Sequence, residues 1–225
     1  MAINPNPRLD NRHTAYIATS GAGKSVALWA RSGIHREPKK GKMQRTIVWD
    51  NNSDYGDRGF DDISEFIRAL AKANESGKGY LLAYQGEADQ AVFELLCQAI
   101  WAIADGSKLI NFVVEEYADV CHSAAGIPKT QPYHQKMWTQ GRKYGIRMLI
   151  TTQRPQLVNK TAIGNVKQIW AAEQDASAAK SVANRIGISS DELMKCPKGH
   201  FYHWNDSGVT REHVFTLNGD EFKIH

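Results

Sequence analysis

The stretch YIATSGAGKSVALWA, residues 16 to 30, constrains the fold of this chain more than any other feature. A short apolar run leads into two closely spaced glycines, and a Lys-Ser pair then opens a helical pattern. This order of strand, glycine loop and helix typically binds phosphate, because inward-pointing N–H groups and the helix N-terminus attract anions. The full pattern G-x-x-x-x-G-K-[ST] has a glycine where this chain has Ala18. We expect a small residue to fit there if the turn does not require positive φ.

The residue types inside the loop predict an ATP site that uses Mg²⁺. Gly21 and Gly23 allow positive φ and a close approach of the backbone to phosphate oxygens. Lys24 would reach the β- and γ-phosphates, and the hydroxyl of Ser25 would ligate Mg²⁺. The predicted nucleotide-binding residues are Ser20, Gly21, Ala22, Gly23, Lys24 and Ser25.

A second motif, LINFVVEEY (residues 109 to 117), is an apolar strand that ends in two carboxylates. Glu115 would hold Mg²⁺, directly or through water. Glu116 would polarise the attacking water as general base, provided that the chain turns at the strand end so that both carboxylates face the site. A catalytic carboxylate indicates hydrolysis, and it suggests that the strand LITT lies between this strand and the loop strand, as in the motor branch of the phosphate-loop NTPases.

Apolar runs and helical patterns alternate along the whole chain, which predicts an α/β fold with a mainly parallel central sheet flanked by helices. We expect a P-loop NTPase of the RecA-like type, with one domain over residues 1–225. Two further segments, GHFYHW (199 to 204) and REHVFTL (211 to 217), predict a C-terminal strand pair, which could form a hairpin at the edge of the sheet.

A third motif, GRKYGIRMLITTQRP (residues 141 to 155), carries a family resemblance. It resembles the FtsK–HerA group of DNA-pumping ATPases, in which a Gly-Arg-Lys helix end precedes a strand that ends in Thr-Gln-Arg-Pro. The segment VWDNNSDYG (48 to 56) is similar to the second strand and acidic turn of that group. The resemblance covers most of residues 13 to 205 and keeps the family's order of motifs.

Two further site residues follow from this motif. The amide of Gln153, at the end of its strand, would hydrogen-bond the γ-phosphate or the attacking water and sense hydrolysis. Arg142 resembles the arginine of the family's Gly-Arg-Lys motif, which implies that it reaches the phosphate of a neighbouring subunit, although compensation of a helix dipole is an alternative. Arg154 and Arg147 are the second and third candidates for that role. For Thr151 and Thr152 we favour a role in strand packing over a role as ligands of the nucleotide or metal.

The resemblance also implies partners. We expect the chain to be most similar to the genome-packaging ATPases of tectivirus-like, internal-membrane icosahedral viruses, because its sequence predicts neither the membrane anchors nor the extra barrel of other members. We therefore expect a ring of identical subunits that moves double-stranded DNA irrespective of sequence, docked on a capsid or portal-vertex protein. No signal peptide or membrane span is predicted, which indicates the host cytoplasm or the virion.

Composition adds little to these motifs. The net charge is +4, and the densest basic stretch, REPKKGK (36 to 42), is either a solvated loop or a nucleic-acid contact. Three widely spaced cysteines argue against a disulfide framework and a zinc cluster. His200 and His203 alternate along one strand without a third ligand, which favours a structural role.

A small P-loop kinase, or another nucleotide-dependent phosphotransferase, is the main alternative. It would need an arginine-rich lid, for which the sequence has no Arg-x-x-Arg signature, and it would have no use for Glu116. The irregular stretch from 117 to 134 could couple hydrolysis to DNA, and Lys129 is its only basic residue other than histidine.

Overall fold

The computed structural model describes residues 1–34, 44–53, 59–121, 123–219 and 221–225. The basic stretch REPKKGK and the end of the acidic turn after the second strand lie outside the described residues. The strands are β1 (Thr14–Ile17), β2 (Arg45–Trp49), β3 (Gly59–Phe60), β4 (Tyr80–Tyr84), β5 (Ile110–Val114), β6 (Ile146–Thr152), β7 (Gln168–Ala171), β8 (His200–Asn205), β9 (Gly208–His213), β10 (Phe215–Asn218) and β11 (Glu221–Ile224). The helices are α1 (Lys24–Arg31), α2 (Ile63–Glu75), α3 (Gln90–Ile103), α4 (Pro132–Thr139), α5 (Lys160–Asn165), α6 (Ala176–Ile186) and α7 (Ser190–Met194).

The described part of the chain contains a nine-stranded sheet with the order β3-β4-β2-β5-β6-β1-β7-β8-β9. The strands from β3 to β7 are parallel, and β8 and β9 are antiparallel. As predicted, β6 lies between the glycine-loop strand β1 and the acidic strand β5. The carboxyl ends of all the parallel strands therefore lie on one side of the sheet, here called the front edge. Their amino ends lie on the opposite side, here called the back edge; both names refer to strand ends and not to the outermost strands.

The central strands are buried on both faces, as the unbroken apolar runs of the sequence predict. All residues of β1 and β5 are buried. On one side of the sheet the ring of Phe93 in α3 packs 5.0 Å from Trp49 and 5.8 Å from Phe112. These contacts fix the acidic strand against its neighbours, which makes the front edge a rigid platform.

The predicted hairpin at the sheet edge is confirmed by β8 and β9, but its second strand does not run to residue 217. The chain leaves the sheet at Val214, whose N–H donates to Gly199 O, and Phe215 then starts β10. Val214 and Phe215 are both fully buried, and two consecutive buried residues are incompatible with the alternation of a strand that has one exposed face. β11, which pairs with β10, was not predicted from the sequence.

The α-helix before β6 does not extend to the Gly-Arg-Lys motif, although the resemblance implies that this motif ends a helix. It ends at Thr139, and a 3₁₀ turn, Gly141–Tyr144, leads into β6. Gly145 closes this turn with φ 77°, and a Cβ on it would lie 2.4 Å from Lys108 O. Only glycine fits this position, so the chain enters β6 through a tight turn.

Within the described residues, no helix combines the length and the apolar character that are needed to cross a bilayer.

Candidate active site

The glycine loop lies at the front edge, between the end of β1 and the start of α1. Gly21 and Gly23 have φ values of 72° and 92°, and Gly23 occupies the N-cap position of α1. Ala18 is fully buried, and the described non-glycine residues with positive φ are Asn4, Ser53 and Glu116. Because the backbone at Ala18 does not need positive φ, alanine is tolerated where the full pattern has glycine.

Lys24 points its ammonium group into the front edge. Its side chain is 8% exposed, and Nζ lies 3.3 Å from Thr19 O and 3.4 Å from Glu116 Oε1. A buried ammonium requires compensating negative charge, and Glu116 supplies it. The structure thus joins the glycine loop to the acidic strand through one ion pair.

Glu116 adopts the left-handed conformation, with φ 42° and ψ 54°, directly after β5. This conformation is uncommon for a residue with a Cβ and is concentrated at functional sites. It reverses the alternation of the strand and turns the carboxylate towards Lys24, as the sequence analysis required. The N–H of Glu116 donates to Thr151 Oγ1 at 3.1 Å, which holds the turn.

Gln153 binds the same carboxylate twice. Its backbone N–H donates to Glu116 Oε2 at 3.0 Å, and its side-chain amide donates to Oε1 at 2.9 Å. Two donors and one ammonium therefore converge on Glu116. The Glu116 carboxylate thus links the end of β5 to the end of β6 and to the start of α1.

The buried side chain of Tyr117 holds the turn at Glu116 in place through hydrogen bonds. Its hydroxyl accepts hydrogen bonds from Trp138 Nε1 at 2.8 Å and from Asn159 Nδ2 at 3.0 Å, so its proton donates to His134 Nε2 at 2.6 Å. His134 then carries its own proton on Nδ1, which donates to Gln131 Oε1 at 3.1 Å. Burial lowers the pKa of His134 to about 3, in agreement with this neutral form.

This buried network involves both ends of the stretch 117 to 134. Tyr117 and His134 are buried, whereas Lys129 is exposed. The ends of the stretch are thus fixed to α4 and α5. If the stretch couples hydrolysis to DNA, its middle part is the part that is free to contact DNA.

Glu115 is buried at the end of β5, where its N–H donates to Trp49 O at 3.0 Å. Ser25 lies in the first turn of α1. Within the described residues, no group of three or more His, Cys, Asp or Glu side chains is arranged to hold a metal ion. A hydroxyl and a carboxylate nevertheless suit Mg²⁺, which completes its coordination with water and substrate phosphates.

The three candidate arginines lie at different edges. Arg154 follows Gln153 at the front edge and pairs with Asp119. Arg142 and Arg147 lie at the back edge, where β6 starts, and they line the same cavity. The seven residues of β6 span about 20 Å, so Arg142 does not reach the glycine loop of its own subunit.

Two contributors to the site were missed from the sequence. Thr151, which we expected to serve packing alone, also accepts the hydrogen bond from the N–H of Glu116. Phe215 packs its ring directly on the glycine loop, because a Cβ on Gly23 would lie 2.3 Å from the ring. The strand alternation of β6 offered a signal for Thr151, but no sequence pattern links Phe215 to a loop almost two hundred residues earlier.

His200 and His203 take part in ring stacking. His203 stacks on Trp170 at 4.0 Å and lies 3.4 Å from Glu212, and His200 stacks on His213 at 4.3 Å. These contacts support the structural interpretation.

We predict that Gly23→Ala destabilises the protein more than Gly33→Ala does. Both glycines have positive φ, but a Cβ on Gly33 meets nothing within 4 Å, whereas one on Gly23 meets the Phe215 ring. The shared backbone strain costs about 1 kcal/mol, and the steric clash adds to it only at Gly23. Chemical denaturation of both variants measures the difference, and equal destabilisation would remove Phe215 as a support of the loop.

Comparisons with known proteins agree with this geometry. No protein-family model matches the chain. The genome packaging NTPase B204 from Sulfolobus turreted icosahedral virus 2 in complex with AMPPCP superimposes with a TM-score of 0.66 at 16% identity, over 92% of this chain and 99% of B204. The complex of B204 with ATP-gammaS gives a TM-score of 0.64 at 13% identity, over 89% of this chain and 95% of that chain. The predicted P-loop NTPase fold is thereby confirmed.

A relative with higher sequence identity is protein P9 of Pseudoalteromonas phage PM2. It is 30% identical over 217 residues, which cover 94% of this chain and 93% of P9. The chain therefore belongs to the same family as protein P9 of phage PM2.

Proposed function

We propose that this protein is an ATP-hydrolysing motor that translocates double-stranded DNA and packages a viral genome into a preformed capsid. The observation that carries the proposal is the position of the Glu116 carboxylate, which Lys24 and Gln153 hold at the front edge. A family relative from a phage and the fold shared with a virus packaging NTPase support the packaging role.

In this proposal the phosphates of ATP bind the N–H groups of the glycine loop and the ammonium of Lys24. The phosphates compete with Glu116 for Lys24, and this frees the carboxylate to accept a proton from the attacking water. Ser25 and Glu115 would hold Mg²⁺, which offsets charge on the β- and γ-phosphates.

Gln153 is proposed to connect the chemistry to the rest of the motor. Its backbone and side chain both bind Glu116, so any shift of that carboxylate moves the end of β6. Arg154 follows directly and pairs with Asp119 in the turn after β5. A change at the γ-phosphate thus reaches the stretch 117 to 134, which we propose as the link to DNA.

The kinase alternative lacks support from this geometry. A phosphotransferase passes the γ-phosphate to an acceptor and has to exclude water. Here the front edge presents a carboxylate, braced by two donors and an ammonium, that is suited to activating water. Hydrolysis is therefore the better-supported reaction.

We predict that Lys24→Ala and Glu116→Gln separate binding from chemistry. Lys24→Ala removes the charge that neutralises the terminal phosphates, so the affinity for a fluorescent ATP analogue should be lost. Glu116→Gln keeps the shape of the side chain but removes the base, so binding should persist while hydrolysis falls by a factor on the order of 10² or more.

Glu115→Gln is the matched control, because it changes the adjacent carboxylate in the same way. It should weaken the Mg²⁺ requirement and nucleotide binding together. If Glu115→Gln alone stops hydrolysis and Glu116→Gln stays active, the roles of the two carboxylates are reversed.

The motor function predicts that duplex DNA stimulates ATP hydrolysis irrespective of sequence. DNA affinity should fall steeply with salt, because bound phosphates release counterions. The test is ATP turnover with two unrelated duplexes at several salt concentrations. Indifference to DNA would favour a phosphotransferase, and a strong preference for one duplex would indicate a site-specific regulator.

We also propose a ring of identical subunits in which Arg142 completes the site of a neighbour. Because β6, about 20 Å long, lies between Arg142 and the front edge, Arg142 does not act on the glycine loop of its own chain. We propose that it acts on a phosphate bound by a second subunit. A ring motor of this kind would act at a capsid or portal-vertex protein, in the host cytoplasm or on the virion.

For Arg142→Ala we predict normal ATP binding with hydrolysis reduced by a factor on the order of 10³, the lower range for an arginine supplied in trans. Mixing it with Glu116→Gln protein should restore part of the activity, because some interfaces then combine an intact Glu116 with an intact Arg142. Arg154→Ala tests the second candidate for this role: if that variant, and not Arg142→Ala, binds ATP without hydrolysing it and is rescued by mixing, the assignment to Arg142 is wrong. If the mixture remains inactive although subunits exchange, Arg142 does not act in trans.

A further inference from the structure

A cavity of about 710 Å³ opens at the back edge of the sheet, opposite the candidate active site. The amino ends of β2, β5 and β6 form its floor, and the segment before β1 forms one wall. Seven of its described lining residues are arginine or lysine, and one, Asp10, is acidic. Cations concentrated in a concave site attract a multiply charged anion.

The deep arginines of this cavity are held in place by backbone oxygens. Arg142 Nη1 donates to Pro7 O at 2.9 Å and also to Leu9 O. Arg147 donates to Arg12 O at 3.0 Å and to Ser32 O at 2.7 Å. Carbonyl oxygens orient a guanidinium without cancelling its charge, so both arginines keep their attraction for an anion.

The outer cations of the cavity are not neutralised by a close, buried ion pair with any described residue. Among the described residues, no carboxylate lies within 4.0 Å of the charged groups of Arg8, Lys78 or Lys108, all of which line the cavity. Arg12 pairs only with exposed Asp10, at 3.8 Å, which contributes little in water. The cavity therefore presents a strong positive field.

The size and lining of the cavity indicate what enters it. A volume of about 710 Å³ is that of a small-ligand site and is too small to enclose a DNA duplex. None of the described lining residues is aromatic, so the cavity offers no stacking surface for a base. These features fit the phosphate chain of a nucleotide whose base is held elsewhere.

The front edge carries the opposite charge. Carboxylates that form no ion pair with a described residue follow the carboxyl ends of β3 and β4, namely Asp61, Asp62, Glu87 and Asp89. Burial raises the pKa of the Tyr84 hydroxyl, and the nearby carboxylates Asp62, Glu87, Asp61 and Asp89 raise it further. Opposite charges on the two edges of one chain favour head-to-tail contact between copies, and such contacts can close into a ring.

We propose that the back-edge cavity receives the triphosphate bound at the front edge of a second copy, and that Arg8 and Arg12 take part with Arg142 and Arg147. This inference rests on the proposed function and goes beyond it, since it adds the segment before β1 to the site of the neighbouring subunit. Asn6 N donates to Lys143 O at 2.7 Å, and the carbonyls of Pro7 and Leu9 hold Arg142. The segment thus positions Arg142 and supplies two cations of its own.

The test uses the full-length double variant Arg8→Ala/Arg12→Ala. Both side chains are exposed, and the hydrogen bonds to the backbone of Arg12 do not need them, so the fold should be unchanged. Lys195→Ala/Lys198→Ala is the matched control, because it removes two exposed charges outside the cavity. ATP turnover, ATP affinity and DNA affinity are measured for both variants and for the unmodified protein.

We expect the arginine variant to bind ATP and DNA normally and to hydrolyse ATP at least tenfold more slowly, while the control behaves like the unmodified protein. Mixing the arginine variant with Glu116→Gln protein should restore part of the turnover. If the unmodified protein does not hydrolyse ATP, the proposed function fails. If it does and the arginine variant is fully active, only the present inference fails.

Three other results would also overturn the inference. Loss of turnover without rescue, although subunits exchange, would place the defect within one chain. Normal turnover with weaker DNA binding would make the cavity a DNA contact. The third result is that Lys24→Ala protein still binds free ATP and that a chain with Lys24→Ala, Arg8→Ala and Arg12→Ala together does not. The cavity would then be a site for free nucleotide.

Discussion

The Glu116 carboxylate is the point on which the front edge depends. Lys24 from α1 and Gln153 from β6 both bind it, and the turn after β5 directs it towards them. That turn is in a sparsely populated conformation, so surrounding structure has to hold it. Thr151 holds its backbone, and the buried hydroxyl network around Tyr117 holds the next residue. The side chain that we propose as the general base is thus positioned in part by Thr151 and Tyr117, which have no part in the proposed binding of ATP.

The polarity of a parallel sheet explains why the chain has two charged edges. Carboxylates collect where strands end and helices begin, because they cap helix N-termini there, as Asp62 and Asp89 do. The cations at the back edge lie where the strands start. One chain therefore carries both halves of the contact between subunits that we propose. The segment before β1 holds Arg142 at the back edge through the carbonyl oxygens of Pro7 and Leu9.

The sequence predicted the parallel sheet and the glycine loop, because both depend on local patterns. The position of β6 between β1 and β5 is a long-range property, and it was predicted from the catalytic carboxylate that marks the motor branch of the phosphate-loop NTPases. The meeting of Lys24, Glu116 and Gln153 followed from the rule that parallel strands end at one edge. The contact between Phe215 and Gly23 could not be predicted, since it joins segments that are distant in the chain and share no pattern. The end of β9 was placed wrongly, because REHVFTL is apolar enough to continue a strand that tertiary packing breaks at Val214.

The central claim is that hydrolysis at Glu116 drives movement along duplex DNA. The most direct measurement is the displacement of a third DNA strand from a linear duplex during ATP hydrolysis. The claim predicts that the unmodified protein releases the third strand only with hydrolysable ATP, and that Glu116→Gln protein binds the same DNA without releasing it. If the third strand stays in place while the unmodified protein hydrolyses ATP on that DNA, hydrolysis is not coupled to translocation and the claim is wrong.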